Sequence, residues 1–150
     1  MTQTYYCSVT DIQNYVSTPT LIQLTNDEGS DKIVAYVVKE AIIYASTLID
    51  GYLRGRYNLP LNTQFPLLKI LAIDISVHRL YSRRVRDDMP EVIENAYNKA
   101  IQTLRDIQKG ILTLEAENDL LETSGFNPEE YKTNKDIIDR IFNKRKMSQF

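Results

Sequence analysis

The sequence has few of the residues that usually carry chemistry. It contains one cysteine, Cys7, and one histidine, His78. A single cysteine excludes an internal disulfide and suits a reducing compartment. There is no glycine-rich phosphate-binding motif and no set of zinc ligands at the required spacing. We therefore expect no cofactor and no metal site.

Long apolar runs and a basic excess are also missing. No stretch approaches the roughly 18 apolar residues that span a bilayer, and the polar N-terminus lacks the basic and apolar regions of a signal peptide. We expect a protein made inside the cell that does not bind a membrane. Eighteen basic against 20 acidic residues give a net charge of −2, which argues against a general nucleic-acid coat but allows a local basic patch.

What the sequence does contain is helical periodicity in a chain long enough for one core. Two short helices are predicted, the first capped by Ser8 or Thr10 and the second running from Pro19 to Leu24. Three long helices follow, with these predicted limits: Asp31 as cap to Arg56, Gln64 to Arg86, and Asp88 as cap to Gly110. The predicted fold class is all-α, a compact bundle of three long helices preceded by one or two short ones.

The segment after Leu114 differs in composition from the rest. Residues 115–131 carry six acids and no base, whereas residues 132–150 carry six bases and two acids. Asn134 is a plausible cap for a last amphipathic helix, and its apolar side would consist of Ile137, Ile138, Ile141 and Phe142. We call these four residues the C-terminal stripe. A helix this short needs a partner surface. The predicted organisation is a helical domain, 1–114, and a charged helical arm, 115–150.

Only one pair of residues supports a catalytic interpretation. His78 lies four residues after Asp74, so the carboxylate could orient the imidazole as a general base. An ordinary semi-buried helix pair is the simpler explanation, and Cys7 lies near a terminus that we expect to be mobile. The acidic loop from Asn26 to Asp31 also fails as a calcium site, because the alignment that suits Gly29 puts Leu24 where a carboxylate is essential. We expect no enzymatic activity.

The arginine clusters allow three interpretations. Arg54 and Arg56 end the first long helix, and Arg83 and Arg84 lie near the end of the second. They could bind phosphate, complement the helix dipoles or form salt bridges between subunits. Neighbouring tyrosines favour a protein interface, because tyrosine and arginine are enriched there. The candidate subunit and partner contacts are Tyr52, Arg54, Arg56, Tyr57, Arg83, Arg84 and the C-terminal stripe, Ile137, Ile138, Ile141 and Phe142.

Several segments resemble one family when they are taken in order. They are Leu21–Asn26 before an acidic loop, Ile49–Leu61 (IDGYLRGRYNLPL), Pro66–Leu68, Ala72–Ile75 with Arg79–Tyr81, and Lys109–Leu114 (KGILTL). The chain resembles, over about residues 5–114, a family of Mu-like phage and prophage proteins that is similar to helical head–tail connectors. The family pattern ends near Leu114, so residues 115–150 depart from it.

The resemblance implies a non-enzymatic subunit of a ring that docks below the portal. Its partners would be copies of itself and portal or tail proteins, with DNA only as passing cargo. It would be made in the host bacterial cytoplasm and end in the virion neck. The alternative is a small helical DNA-binding or regulatory protein that uses the arginine clusters. Gly51 fits an interface independently: a glycine inside a helix costs about 1 kcal/mol relative to alanine, and is tolerated where another backbone approaches or the helix bends.

Overall fold

The computed structural model describes residues 5–27, 29, 31–61, 64–83 and 89–114. All regular structure in these residues is helical, which confirms the predicted all-α class. The five helices are α1 (Val9–Tyr15), α2 (Thr18–Thr25), α3 (Ala35–Leu53), α4 (Pro66–Ser82) and α5 (Glu91–Lys109). The predicted arm, 115–150, with its C-terminal stripe lies outside the described residues, as do Arg84 and Asp88.

The core forms where α3, α4 and α5 pack together, and α1 and α2 lie against α3 and α4. Burial of each large aliphatic side chain contributes roughly 1.5–3 kcal/mol, so these contacts dominate the stability of the fold. The aliphatic residues that are completely buried include Ile12, Leu21, Val38, Ile49, Leu53, Leu68, Ile75, Leu104 and Ile107.

Both short helices are capped locally, and Ser8, one of the two caps predicted for the first, is the one used. The Ser8 hydroxyl accepts a hydrogen bond from the Asp11 amide (3.2 Å), and the Asp11 carboxylate accepts one from the Ser8 amide (2.9 Å). This reciprocal capping box satisfies amides that have no partner in the first turn. Ser17 caps α2 through the Thr20 amide, with Pro19 in the first turn.

The long helices are shorter than predicted at several ends. Asp31 is not the cap of α3, which begins at Ala35 with Val34 in the cap position. A residue from α2 determines this start: the Thr25 hydroxyl accepts from the Val34 amide (3.1 Å) and donates to the Leu21 carbonyl (2.8 Å). Pro90, which the sequence predicts as the first helical residue of α5, is instead its N-cap.

The end of α5 confirms the predicted role of Gly110. Its φ of 79° is left-handed, a conformation that glycine adopts without steric cost. The Gly110 amide donates to the Ile107 carbonyl, and the Ile111 amide donates to the Asp106 carbonyl. These two bonds form a Schellman motif, which satisfies the last carbonyls of the helix.

Cys7 corrects an expectation about the N-terminal segment. It is only 7% exposed and packs in the core with its sulfur 4.0 Å from the Ser76 hydroxyl. Burial raises the pKa of the thiol to about 11. The thiol is therefore shielded by packing. The sequence analysis instead predicts a mobile N-terminal segment around it.

Candidate functional site

The two chain segments that leave α3 and α5 lie against each other. Tyr57 is 1% exposed, and its hydroxyl accepts a hydrogen bond of 2.9 Å from the amide of Leu114, which is itself buried. Tyr57 is one of the predicted partner contacts; within the chain its ring is buried and its hydroxyl is bonded to the Leu114 amide. Two of the segments that carry the resemblance, 49–61 and 109–114, are therefore neighbours in space.

Arg56 reinforces this junction. Its guanidinium lies over Gly110 so closely that a Cβ there would be 1.8 Å from Nη1. The positive group thus sits at the C-terminal end of α5, where carbonyl dipoles favour a cation. Its Nε is buried, and no hydrogen-bond partner is found for it among the described residues. Because Arg56 follows α3 and Gly110 follows α5, the two helices run parallel.

Arg83 has a comparable role at the other end of the bundle. It forms an ion pair with Asp27 and donates from Nη1 to the Leu24 carbonyl (2.9 Å). This joins the end of α4 to the residues just before α3, so α3 and α4 run antiparallel. Arg54 and Arg56 consequently lie at the opposite end of the bundle from Arg83, so these three described arginines form no single basic patch. Of the other predicted contacts that are described, Arg54 is exposed and Tyr52 is half-buried.

The Asp74–His78 pair on which the catalytic interpretation depends is not formed. The His78 ring stacks on Tyr97 of α5 with centroids 3.9 Å apart, whereas Asp74 hydrogen-bonds with Tyr15. Burial lowers the pKa of His78, an effect that Glu94 opposes, and burial raises the pKa of Asp74. The imidazole therefore joins α4 to α5 by packing, and the carboxylate serves the contact with α1.

The outer side of α3 carries the most distinctive surface. Tyr36 is 68% exposed and Tyr44 is 39% exposed. Thr47 and Gly51 continue this exposed line along the helix. We call these four residues the α3 face. Large exposed aromatic side chains of this kind are typical of interaction surfaces when they occur together.

Two grooves meet at Tyr44. The first, of about 450 Å³, lies between α3 and the end of α4, and Tyr36, Glu40 and Arg79 line it. Arg79 also lies over the Tyr44 ring, 4.7 Å from its centroid, in a cation–π contact. The second groove, of about 360 Å³, lies between α3 and α5; we call it the α3–α5 groove. It is lined by Tyr44, Thr47, Leu48, Gly51, Tyr52 and Gln108.

No contact among the described residues requires a glycine at position 51. A Cβ built there meets no atom within 4 Å, and α3 continues as regular helix to Leu53. No other backbone among the described residues approaches Gly51 closely, so the first predicted explanation is not met within the chain. The unused space opens outward at the floor of the α3–α5 groove.

A further cavity of about 500 Å³ lies beside the N-terminal segment, with Tyr6, Cys7, Lys39 and Lys69 among its lining residues. Lys69 pairs with Asp11 at 2.6 Å, and the Tyr6 hydroxyl donates to Asp50. These contacts hold the segment onto α3 and α4.

In the described ranges, no three potential ligands cluster to hold a metal ion. None of the helices described is both long and apolar enough to cross a membrane.

Comparison with known families decides the affiliation. Residues 6–129 match the family model described as Bacteriophage Mu, Gp36, which is more than four-fifths of the chain. The chain belongs to the bacteriophage Mu Gp36 family. A search of curated proteins finds no match. The family match confirms the resemblance to Mu-like phage proteins and corrects its limit, because it continues 15 residues past Leu114.

The structure of this Gp36-family protein also shows residues that sequence reasoning missed. Tyr36, Tyr44 and Tyr97 were not distinguished from the other tyrosines, although the structure brings Tyr44 and Tyr97 near Tyr52. The signal was present as spacing: Tyr36, Tyr44, Thr47 and Gly51 fall on one side of a 3.6-residue period, opposite the apolar stripe of α3. The C-terminal stripe lies outside the family match.

Proposed function

We propose that this Mu-type phage protein is a structural, non-catalytic head–tail connector subunit. Its copies pack side by side in a ring between the portal and the tail, and DNA passes through the ring as cargo. It is made in the host bacterial cytoplasm and ends in the virion neck. Family membership supports a phage protein, and the α3 face supports assembly through a helix surface.

The observation that carries the proposal is Gly51 on the α3 face. A helical glycine that costs stability and has open space around it is explained if the backbone of a second copy approaches there. Thr47 and Tyr44, one and two turns earlier, would then lie on the same contact. The aromatic side chain would provide area and a hydroxyl for hydrogen bonding.

The arginines do not favour the alternative of a DNA-binding or regulatory protein. Arg83 is engaged with Asp27 and Leu24, and Arg56 is packed on Gly110. These contacts use the two side chains inside the subunit, where they stabilise helix ends. Arg54 remains exposed, with Arg105 and Lys109 exposed at the same end of the bundle, but three cations supply only part of the multi-phosphate contact on which DNA affinity depends.

The test combines the full chain with the purified portal ring of the same phage. Mass photometry and negative-stain microscopy should show added mass in steps of the 17.4 kDa subunit and a new ring of density. Gly51→Leu places a large side chain on the α3 face, where an added Cβ meets no atom within 4 Å, and should weaken binding at least tenfold. Asn98→Leu, on the exposed side of α5, is the matched control and should bind normally.

Three results would overturn the proposal. They are no binding of the wild-type chain to the portal, equal binding by Gly51→Leu and wild type, and salt-dependent binding of duplex DNA by the monomer in place of ring formation. Circular dichroism of each variant verifies that the bundle is folded, so that lost binding reports on the surface alone.

A further inference from the structure

We propose that the C-terminal stripe of the same chain binds the α3–α5 groove and covers it until a partner displaces it. The stripe is Ile137, Ile138, Ile141 and Phe142, whose spacing places all four on one side of a helix. The binding mode would be a short amphipathic helix in an apolar groove. The docking does not depend on connector assembly; only its consequence for assembly rests on the proposed function.

The position at which the described chain ends supports this occupant. Leu114 is fixed by Tyr57 just beyond the ends of α3 and α5. Gly51, Tyr52 and Gln108, which line the groove, belong to the last turns of the same two helices. The groove therefore opens at the end of the bundle from which residues 115–150 begin.

The lengths are also compatible. From Tyr44 to Tyr52 the groove follows eight residues of α3, about 12 Å at 1.5 Å per residue. The stripe from Ile137 to Phe142 covers about 8 Å if helical. The 23 residue steps between Leu114 and Ile137 could extend to about 76 Å, several times what is needed. Tethering then gives the stripe an effective concentration in the groove on the order of millimolar.

Charge favours the same path. Arg54, Arg105 and Lys109 are exposed around the end of the bundle at which Leu114 lies. Residues 115–131, which follow immediately, carry six acids and no base. Exposed pairs of this kind add little stability individually, but opposite charge directs a tethered segment towards one end of the bundle in preference to others.

The primary experiment is disulfide trapping in the full chain. Thr47→Cys, in the groove, is combined with Ile141→Cys, in the stripe, under mild oxidation. Cys7 does not interfere, because its thiol is buried with a pKa raised to about 11. We expect an internal disulfide in most molecules at the monomer mass, and at least fivefold less with the matched control Thr47→Cys and Asp139→Cys, since position 139 lies opposite the stripe.

Every other outcome of the disulfide trapping overturns the proposal. A cross-link between two chains would show exchange of the segment with a second copy, and equal trapping by the Asp139→Cys control would show an unspecific tether. A second measurement uses Thr47→Cys alone. Its reaction with a thiol reagent should become at least fivefold faster when Ile138→Asp and Ile141→Asp are added, and an unchanged rate would refute docking.

The consequence for assembly is measured separately. The Ile138→Asp, Ile141→Asp chain, with its groove uncovered, should associate with the portal ring at least fivefold faster than wild type. If trapping succeeds and no chain binds the portal, docking stands and the connector function fails. If the portal is bound and trapping fails, the reverse holds. The two proposals can therefore be refuted independently.

Discussion

Replacing Gly51 with alanine should make the isolated subunit more stable. Alanine is favoured over glycine by roughly 0.8–1.0 kcal/mol inside a helix. The new methyl group meets no atom within 4 Å, so no steric cost offsets this gain. Gly51 is the third residue from the end of α3, where helices fray, so we expect about 0.5–1 kcal/mol. For a chain of this size that raises Tm by about 1–4 °C.

The assay is urea and thermal unfolding followed by circular dichroism at 222 nm, with comparison of midpoints at an unchanged denaturant slope. Gly110→Ala is the opposing control, because a φ of 79° and the Arg56 guanidinium both penalise a side chain. It should lower stability by about 1–3 kcal/mol. The comparison is made in the Ile138→Asp, Ile141→Asp chain, whose groove is uncovered. A destabilised Gly51→Ala variant there would refute the reasoning, since it would mean that the bundle itself fills the space at Gly51.

Three further predictions concern the interior and the first helix. Tyr57→Phe removes the acceptor of the buried Leu114 amide and should lower the free energy of unfolding by about 1–3 kcal/mol in urea titrations, whereas a neutral result would mean that water replaces the hydroxyl. Cys7 should resist alkylation at pH 8 in the native protein and react at once in urea, because burial raises the pKa of its thiol to about 11; rapid native labelling would contradict its burial. The Lys69 ammonium and Ser8 lower the pKa of Asp11 to about 2, so its stabilising effect is present above pH 4 and lost between about pH 4 and pH 2; Asp11→Asn should flatten that part of the stability profile, and an identical profile would exclude the ion pair as a source of acid sensitivity.

The helices could be predicted because their signals are local. The 3.6-residue period of α3, the capping box at Ser8 and the left-handed Gly110 each involve residues close in sequence. The start of α3 could not be predicted in this way. Thr25 holds Val34 from nine residues away, and the nearby Asp31 offered a stronger local signal that the fold does not use.

The candidate site was less predictable for the same reason. Nothing next to Tyr57 in sequence shows that its hydroxyl meets Leu114, which is 57 residues later. A tyrosine beside arginines is equally typical of an interface and of a core edge. Gly51 was the useful exception, because a helix-disfavouring residue in a strongly periodic segment indicates a constraint even before the fold is known.

The Tyr57–Leu114 hydrogen bond also has a consequence for the order of folding. Synthesis proceeds from the N-terminus, so α1 to α4 are synthesised before residue 114 is added to the chain. Until then the Tyr57 hydroxyl lacks its donor, and the core lacks the apolar contribution of Leu114. Completion of the core therefore waits for the chain beyond α5, which gives the nascent protein a late closing step that links the first long helix to the last.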